Sequence, residues 1–166
     1  MDLTIRAAAR TDLDGILAIY NDAVLHTTAS YDYEPSTLEA RITWYEAHVR
    51  AGLPIFVAAD GGAIVGWSAL HTFRPKIGYR YTVENSVYVA ADRRRQGIGR
   101  ALLVPLIQCA RGLGMHAVVA GIDAENTASI QLHAGLGFVQ VGHIREVGYK
   151  FDRWLDLVFM QLLLHG

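Results

Sequence analysis

The chain has 166 residues, 52% hydrophobic and 19% charged, with a formal net charge of −1. That balance describes a packed globule and excludes both a disordered chain and a strongly basic, nucleic-acid-binding one. Cys109 is the only cysteine, which excludes an intramolecular disulfide and a multi-cysteine metal site and fits a reducing cytoplasm. Met1 to Arg6 carries no apolar signal core, and no run approaches the length of a membrane span. The expectation is a soluble chain forming one domain over residues 1–166, with no membrane or nucleic-acid partner.

Leu3 to Arg6 reads as a first strand. Thr11, with Asp14 three residues on, predicts the cap of a helix near 12–25 that carries Leu13, Ile16, Leu17, Tyr20 and Val24 at helical spacing. Ser36 with Glu39 opens a second helix through Leu38, Ile42, Tyr45 and Val49, stopped by Gly52. His26 to Pro35, between them, is irregular. Ile55 to Ala59 and Ile64 to Leu70 read as strands joined by Asp60-Gly61-Gly62, a hairpin signal. A loop from Phe73 to Gly78 precedes a long strand from about Tyr81 to Val89. A helix begins at Ile98, contains Pro105, and stops at Gly112 and Gly114. A strand at His116–Ile122, a short helix from about Asn126 to Leu136, and strands at Phe138–His143 and Arg153–Leu163 complete the chain. The order βααβββαβαββ predicts a mixed α/β domain with one sheet.

The richest local signal lies between the fourth strand and the third helix. Arg93-Arg94-Arg95-Gln96-Gly97-Ile98-Gly99-Arg100 joins a strand to a helix N-terminus through glycines. The first N–H groups of a helix have no internal partner, and with the positive end of the dipole they form an anion site. Gly97 and Gly99 permit a sharp turn and close approach. Arginines, here Arg93, Arg94, Arg95, Arg100 and Arg111, add attraction and forked hydrogen bonds. A dinucleotide fingerprint would need glycine at Leu102, and the P-loop pattern is missing. The cradle therefore suits a small polyphosphate.

The pattern R-x-x-G-x-G, Arg94 to Gly99, resembles the pyrophosphate loop of the GNAT superfamily of acetyl-CoA-dependent N-acetyltransferases, and the element order matches that fold over essentially the whole chain. Asn126 to Phe138 is similar to the family's N-x-x-S-x-x-x-[YH]-x-x-x-G-F segment. Val147 to Leu157, Thr82 to Val89 and Ile19 to Val24 resemble the branch that acetylates phosphinothricin and methionine sulfoximine, although Asn85 stands where that branch often has His. The resemblance implies a GNAT fold with a mostly antiparallel sheet, acetyl-CoA as co-substrate, and a homodimer. It implies that the backbone of Val87 and Val89, with Tyr88 between them, binds the pantetheine arm. It also implies that Arg94, Arg95, Gln96, Gly97, Ile98, Gly99 and Arg100 wrap the pyrophosphate, and that Asn126 touches the pantetheine or the neighbouring loop.

Acyl transfer needs a neutral amine, and an α-amino group with a pKa of about 8 is mostly protonated at neutral pH. Glu84 is the candidate base, against a second reading as an exposed carboxylate or a partner of Arg80. His133, on one helical face with Asn126 and Ile130, is the candidate acid for the departing thiolate, against a purely structural role. Guanidinium forks suit an acceptor carboxylate and a tetrahedral polar group, so the acceptor is placed among Phe73, Arg74, Pro75, Lys76 and Arg80, with Glu84, Asn85 and Ser86 on the strand. Lys150, Arg153 and Trp154 line the same pocket or a dimer contact, and Tyr31 closes it. The histidines lack metal-ligand spacing, there is no nucleophile elbow, and Cys109 has no activating motif, so no metal and no covalent relay are expected. The resulting function is acetyl transfer from acetyl-CoA to the α-amino group of a small amino-acid-like acceptor by direct attack. The alternatives are a peptide or protein N-terminal acetyltransferase and a non-catalytic acyl-CoA-binding sensor.

Overall fold

The computed structural model describes residues 2–165. Its strands are β1 (Leu3–Ala7), β2 (Ile55–Asp60), β3 (Ala63–Thr72), β4 (Thr82–Val89), β5 (Ala117–Asp123), β6 (Val139–Lys150) and β7 (Arg153–Leu163). The helices are α1 (Leu13–His26), α2 (Leu38–Ala51), α3 (Ile98–Gly112) and α4 (Thr127–Ala134). The strands form one sheet in the order β1-β2-β3-β4-β5-β7-β6. Only β4 and β5 run parallel; the other neighbours are antiparallel. The expected element order and mixed sheet are both observed. Among the described residues no helix is long and apolar enough to cross a membrane.

Each face of the sheet is covered by helices with a different chemistry. On one side Leu102, Leu103, Leu106 and Ala110 of α3 bury against Leu70, Val83, Val118, Ala120 and Ile122. α3 stays continuous through Pro105. On the other side Leu13, Ile16 and Ile19 of α1 pack on Ile55, Val57, Trp67 and Ala69. Gly15 permits that approach, because a Cβ there would lie 2.7 Å from Ile64 Cβ.

Two helix details differ from expectation. Thr11 does not cap α1; a short 3-10 turn, Arg10–Asp12, precedes it, and the Asp12 carboxylate instead accepts from Ala9 N–H (2.7 Å) and pairs with Arg6. That pairing holds the Asp12 carboxyl below the usual carboxylate range. In α2 the cap is Thr37, whose Oγ1 accepts from Ala40 N–H at 3.1 Å, while Ser36 N–H donates to Asn21. The helix is also rotated from the expected phase: Leu38 and Val49 face solvent, and Arg41 and His48 are buried. The aromatic Trp44 and Trp67 supply the apolar surface that Arg41 lies against.

The β6–β7 hairpin turns through Phe151 and Asp152, both left-handed (φ 53° and 57°), as a two-residue turn of its type requires. Just before it, Lys150 is 3% exposed and donates to three backbone carbonyls, Val24 (2.6 Å), Thr27 (2.8 Å) and Ser30 (2.7 Å). Lys150 is thus an internal brace and lines neither of the two cavities described below, contrary to the sequence-based expectation. Its ammonium satisfies the carbonyls at and beyond the C-terminus of α1, where the dipole favours a cation. Lys150→Met is expected to destabilise the fold by about 3 kcal/mol, since three charge-assisted bonds vanish and the carbonyls stay buried. A urea midpoint that falls with unchanged m is the readout.

Candidate active site

β4 and β5 are paired only from Thr82↔Ala117 to Glu84↔Val119. Beyond that point β4 stays with β3 as far as Val89, whereas β5 stays with β7 as far as Asp123, so the two strands part. Ala90 N–H reaches toward β3, to Val65 O at 2.9 Å, while Tyr81 C=O accepts from His116 N–H on the β5 side at 2.8 Å. Backbone groups alternate sides along a strand. Odd-numbered Val87 and Val89 therefore direct their N–H and C=O groups into the gap. A cleft of about 300 Å³ occupies it, walled by residues 28–31, Glu84 to Tyr88, Ala120 to Asp123 and three side chains of the α4 region, Asn126, Ser129 and His133.

The glycine loop stands at the mouth of this gap. Arg95 (φ 62°) and Gly97 (φ 80°) are both left-handed, and the first intrahelical bond of α3 is Ala101 N–H to Gly97 O at 3.0 Å. The N–H groups of Ile98, Gly99 and Arg100 are thereby left for a ligand. Gly99 serves a further purpose: a Cβ there would lie 2.9 Å from Leu132 Cδ2, so the glycine lets α3 touch α4. The basic side chains have separate duties. Arg93 pairs with Asp60 at 2.5 Å and locks the loop to the β2–β3 hairpin, and Arg100 donates to Gly135 O at 3.3 Å. Arg94 and Arg95 are exposed, with no ion pair among the described residues. Arg111 lies at the far end of α3, donating to His165 O, and leaves the cluster in which the sequence grouped it.

Glu84 is half-buried in the cleft, with no ion pair among the described residues; it is not the partner of Arg80. Gly121 makes room for it: a Cβ on that residue would sit 3.2 Å from Glu84 Oε1. Burial pushes the Glu84 carboxyl above the usual range, and the charge of Arg74 opposes that shift. Asn85 and His133 lie on the opposite face of β4. His133 Nδ1–H donates to Ser129 O (2.8 Å), so Nε2 of the neutral ring accepts from Asn85 Nδ2 (3.0 Å). Burial lowers the His133 pKa, which favours this neutral form. His133 consequently presents no N–H to the cleft, and the acid role expected of it gives way to the positioning of Asn85. Asn85 Oδ1 remains buried without a partner among the described residues. Asn126 caps α4 through Ser129 N–H at 3.1 Å and keeps its amide for the cleft it lines.

The loop residues expected to hold an acceptor are placed differently. Phe73 stacks edgewise on Tyr79, Arg74 lies over the Phe73 ring at 5.1 Å, and Pro75 and Lys76 are exposed. Arg80 folds over Tyr81 at 4.5 Å and donates to Ile77 O. None of these five lines the cleft, although the charge of Arg74 reaches Glu84. Ser86 does line it, with its Oγ 2.9 Å from His71 Nε2. Tyr31, expected to close a pocket at that loop, instead lines the cleft: its hydroxyl donates to Asp123 (2.7 Å), and its ring lies on Gly148, where a Cβ would be 2.5 Å from Tyr31 Cε2. Arg153 pairs with exposed Glu125, and Trp154 is exposed on the hairpin. Asp123, Gly121 and Ser129 were missed in the sequence; only Ser129 carried a signal, as the serine of the Asn126–Phe138 segment.

A sheet opened between two parallel strands, with a donor-rich helix N-terminus at its mouth and a carboxylate at the point of parting, defines a coenzyme A-dependent acyltransferase. The chain belongs to the GNAT acetyltransferase family: the acetyltransferase (GNAT) domain matches residues 5–159. It is an acetyl-CoA-dependent N-acetyltransferase. It is 50% identical over 165 residues to the L-methionine sulfoximine/L-methionine sulfone acetyltransferase of Pseudomonas paraeruginosa, covering 99% of this chain and 96% of that one. It is 42% identical to the phosphinothricin N-acetyltransferase of Alcaligenes faecalis, with 98% and 83% covered. A Salmonella typhimurium acetyltransferase, solved with its cofactor acetyl-CoA, superposes with a TM-score of 0.97 at 44% identity, covering 100% of this chain and 96% of that one.

Gly99→Val is expected to weaken acetyl-CoA binding about tenfold, because the added branches push α3 off Leu132 and crowd the free N–H groups. Titration calorimetry measures this, and unchanged affinity would count against the loop.

Proposed function

We propose that this enzyme acetylates the α-amino group of a small amino-acid-like acceptor of the methionine sulfoximine, methionine sulfone or phosphinothricin type, by direct attack of the amine on the thioester. The observation that carries the reading is Glu84: a half-buried carboxylate without an ion-pair partner among the described residues, at the last paired residue before the gap. The Pseudomonas relative is an L-methionine sulfoximine/L-methionine sulfone acetyltransferase, which acts on acceptors of this type.

Acetyl-CoA supplies the acetyl group as an activated thioester. The free N–H groups of Ile98, Gly99 and Arg100, reinforced by Arg94 and Arg95, hold its pyrophosphate. The backbone of Val87 and Val89 holds the pantetheine arm alongside Tyr88, with Asn126 and the unpartnered Asn85 oxygen as further polar contacts. Glu84 removes the proton of the acceptor's ammonium, directly or through one water. Burial makes it a stronger base than an exposed glutamate. Backbone N–H groups facing the gap near Val87 stabilise the charge that develops on the thioester oxygen. Cys109 sits within α3 and lines neither this cleft nor a neighbouring one, which goes with direct transfer rather than a covalent relay. Arg74, over Phe73, draws the acceptor's carboxylate toward Glu84. A cytoplasmic setting matches the source of acetyl-CoA, and residues 1–166 act as one catalytic unit.

The enzyme works as a homodimer in this reading. The edge hairpin of β6 and β7 exposes Val139 (61%) and Trp154 (63%), with Val141, Val147 and Tyr149 also exposed, and a second copy would cover them. Sedimentation equilibrium is expected to give twice the chain mass.

A thiol-release assay with acetyl-CoA against amino acids, sulfoximines, sulfones, phosphinates, polyamines and short peptides tests the acceptor. Turnover is expected for the amino-acid analogues, and faster turnover of peptides would replace the reading. For the wild type, kcat/KM should fall on the acid side with an apparent pKa above that of an ordinary glutamate, because the base is lost as Glu84 takes up a proton. Glu84→Gln should lower kcat on the order of a hundredfold and remove that acid limb, with acetyl-CoA affinity unchanged.

A further inference from the structure

A second cavity, of about 350 Å³, lies beside the cleft under α1 and α2, and shares Ser86 and Tyr88 with it. Its base is unusual for a protein interior. Arg41 is 6% exposed, and its guanidinium carbon lies 4.5 Å from the Tyr20 ring centre, 4.6 Å from that of Trp44 and 5.7 Å from that of Trp67. Among the described residues no carboxylate is within ion-pair distance of it, and its Nε is fully buried without an acceptor. Trp67, which lines the same cavity, has its indole N–H buried without an acceptor as well. Aromatic faces offset part of the charge but accept no hydrogen bond from the guanidinium edge. Arg41 and Trp67 of this cavity thus carry N–H groups without an acceptor among the described residues, which is the complement of a group rich in lone pairs.

Resting on the acceptor class proposed above, we propose that this cavity seats the acceptor's distal tetrahedral group, whose oxygens accept from Arg41, and that Asp32 sets which charge is admitted. Dimensions support the assignment. Ser86 follows Glu84 on the same face of β4, and His71, across from Glu84 on β3, bonds its hydroxyl. The three carbons between amine and sulfur or phosphorus in such acceptors span about 5 Å, roughly one strand spacing. An amine held at Glu84 thus places its distal group beside Ser86, where the two cavities meet. The α-carboxylate, on the carbon that bears the amine, stays beside Glu84 and cannot fill the cavity.

Charge decides between distal groups. Asp32 is the one carboxylate that lines the cavity, and it accepts the Tyr20 hydroxyl. Burial and the neighbouring His48 and Arg41 push the His71 pKa down to about 4, so that ring is neutral. Arg41 and Asp32 then cancel. A neutral but strongly dipolar sulfone or sulfoximine meets the donors without opposition, whereas an anionic phosphinate finds no net positive charge to balance its own.

The test compares kcat/KM for methionine sulfone, phosphinothricin and norleucine in the wild type, Arg41→Lys, Arg41→Met and Asp32→Asn. The Arg41 variants should lose on the order of a hundredfold with the sulfone and about twofold with norleucine, which has nothing for Arg41 to hold. Asp32→Asn should raise phosphinothricin relative to the sulfone by about tenfold. Equal losses on all three acceptors in both Arg41 variants would make Arg41 a packing residue and overturn the inference. So would an unchanged preference in Asp32→Asn. A binding readout separates this from failure of the catalytic reading. Methionine sulfone should change the fluorescence of Trp44 and Trp67 saturably in the wild type and not in Arg41→Lys. Binding without turnover would remove the acceptor reading and keep the cavity; turnover without any Arg41 dependence would do the opposite.

Discussion

From Asn85 to Val89 one edge of β4 carries backbone groups that no neighbouring strand satisfies, because β5 has already turned toward β7. Buried amide groups left without partners are costly, so a sheet interior normally closes such a gap. Here it is held open from both sides. β4 is committed to β3 through seven consecutive pairs, and β5 to β7 through another seven. Neither strand can close the gap without giving up bonds it already has. The opening is thereby a fixed property of the sheet, and the unsatisfied edge is available to an amide-containing ligand such as the pantetheine arm.

That constraint also sorts the chemistry by face. Side chains alternate along β4, so Glu84, Ser86 and Tyr88 point toward α1 and α2 while Asn85 and Val87 point toward α3 and α4. The open N-terminus of α3 and the Asn85–His133 pair lie on one side, and Glu84 with the aromatic cavity on the other. In the proposed function the coenzyme and the acceptor therefore approach through the gap from opposite faces. A single strand carries the contacts for both. This arrangement explains why Asn85, adjacent to the base in sequence, does not touch it.

The sequence disclosed those parts whose physics is local. The glycine turn at Gly97, the hairpin at Asp60 to Gly62 and the order of the elements along the chain are all written in short windows, and Glu84 follows from its register on a strand with a recognisable continuation. What could not be read depended on the partner surface. Leu38 and Val49 of α2 look like part of an apolar stripe, yet Trp44 and Trp67 make a face about a quarter turn away the better one to bury, carrying Arg41 and His48 inward while Ile42 and Tyr45 stay at its edge. Gly99 looked like room for an anion, and a major part of its need comes from Leu132, more than thirty residues away. Arg111 joined the basic cluster by composition but sits eleven residues along the helix from Arg100, about 16 Å at 1.5 Å per residue. The side chain of His133 lies at the cleft as expected; its hydrogen-bond partners, invisible in sequence, settle its tautomer.

Lys150 shows how distant parts of the chain shape the cleft. Residues 28–31 form one of its walls, yet they lack regular structure and have few backbone bonds of their own. Their conformation is set from outside, by the Lys150 ammonium on the carbonyls of Thr27 and Ser30 and by Asp123, which takes the Tyr31 hydroxyl. Gly148, beneath the Tyr31 ring, belongs to the same hairpin. A displacement of β6 and β7 would therefore move the wall over Glu84 without touching a residue that binds coenzyme. The β6–β7 hairpin is thus joined to the wall of the cleft through one buried lysine and one glycine, while the glycine loop, tied separately to the β2–β3 hairpin by Arg93 and Asp60, stands outside that linkage.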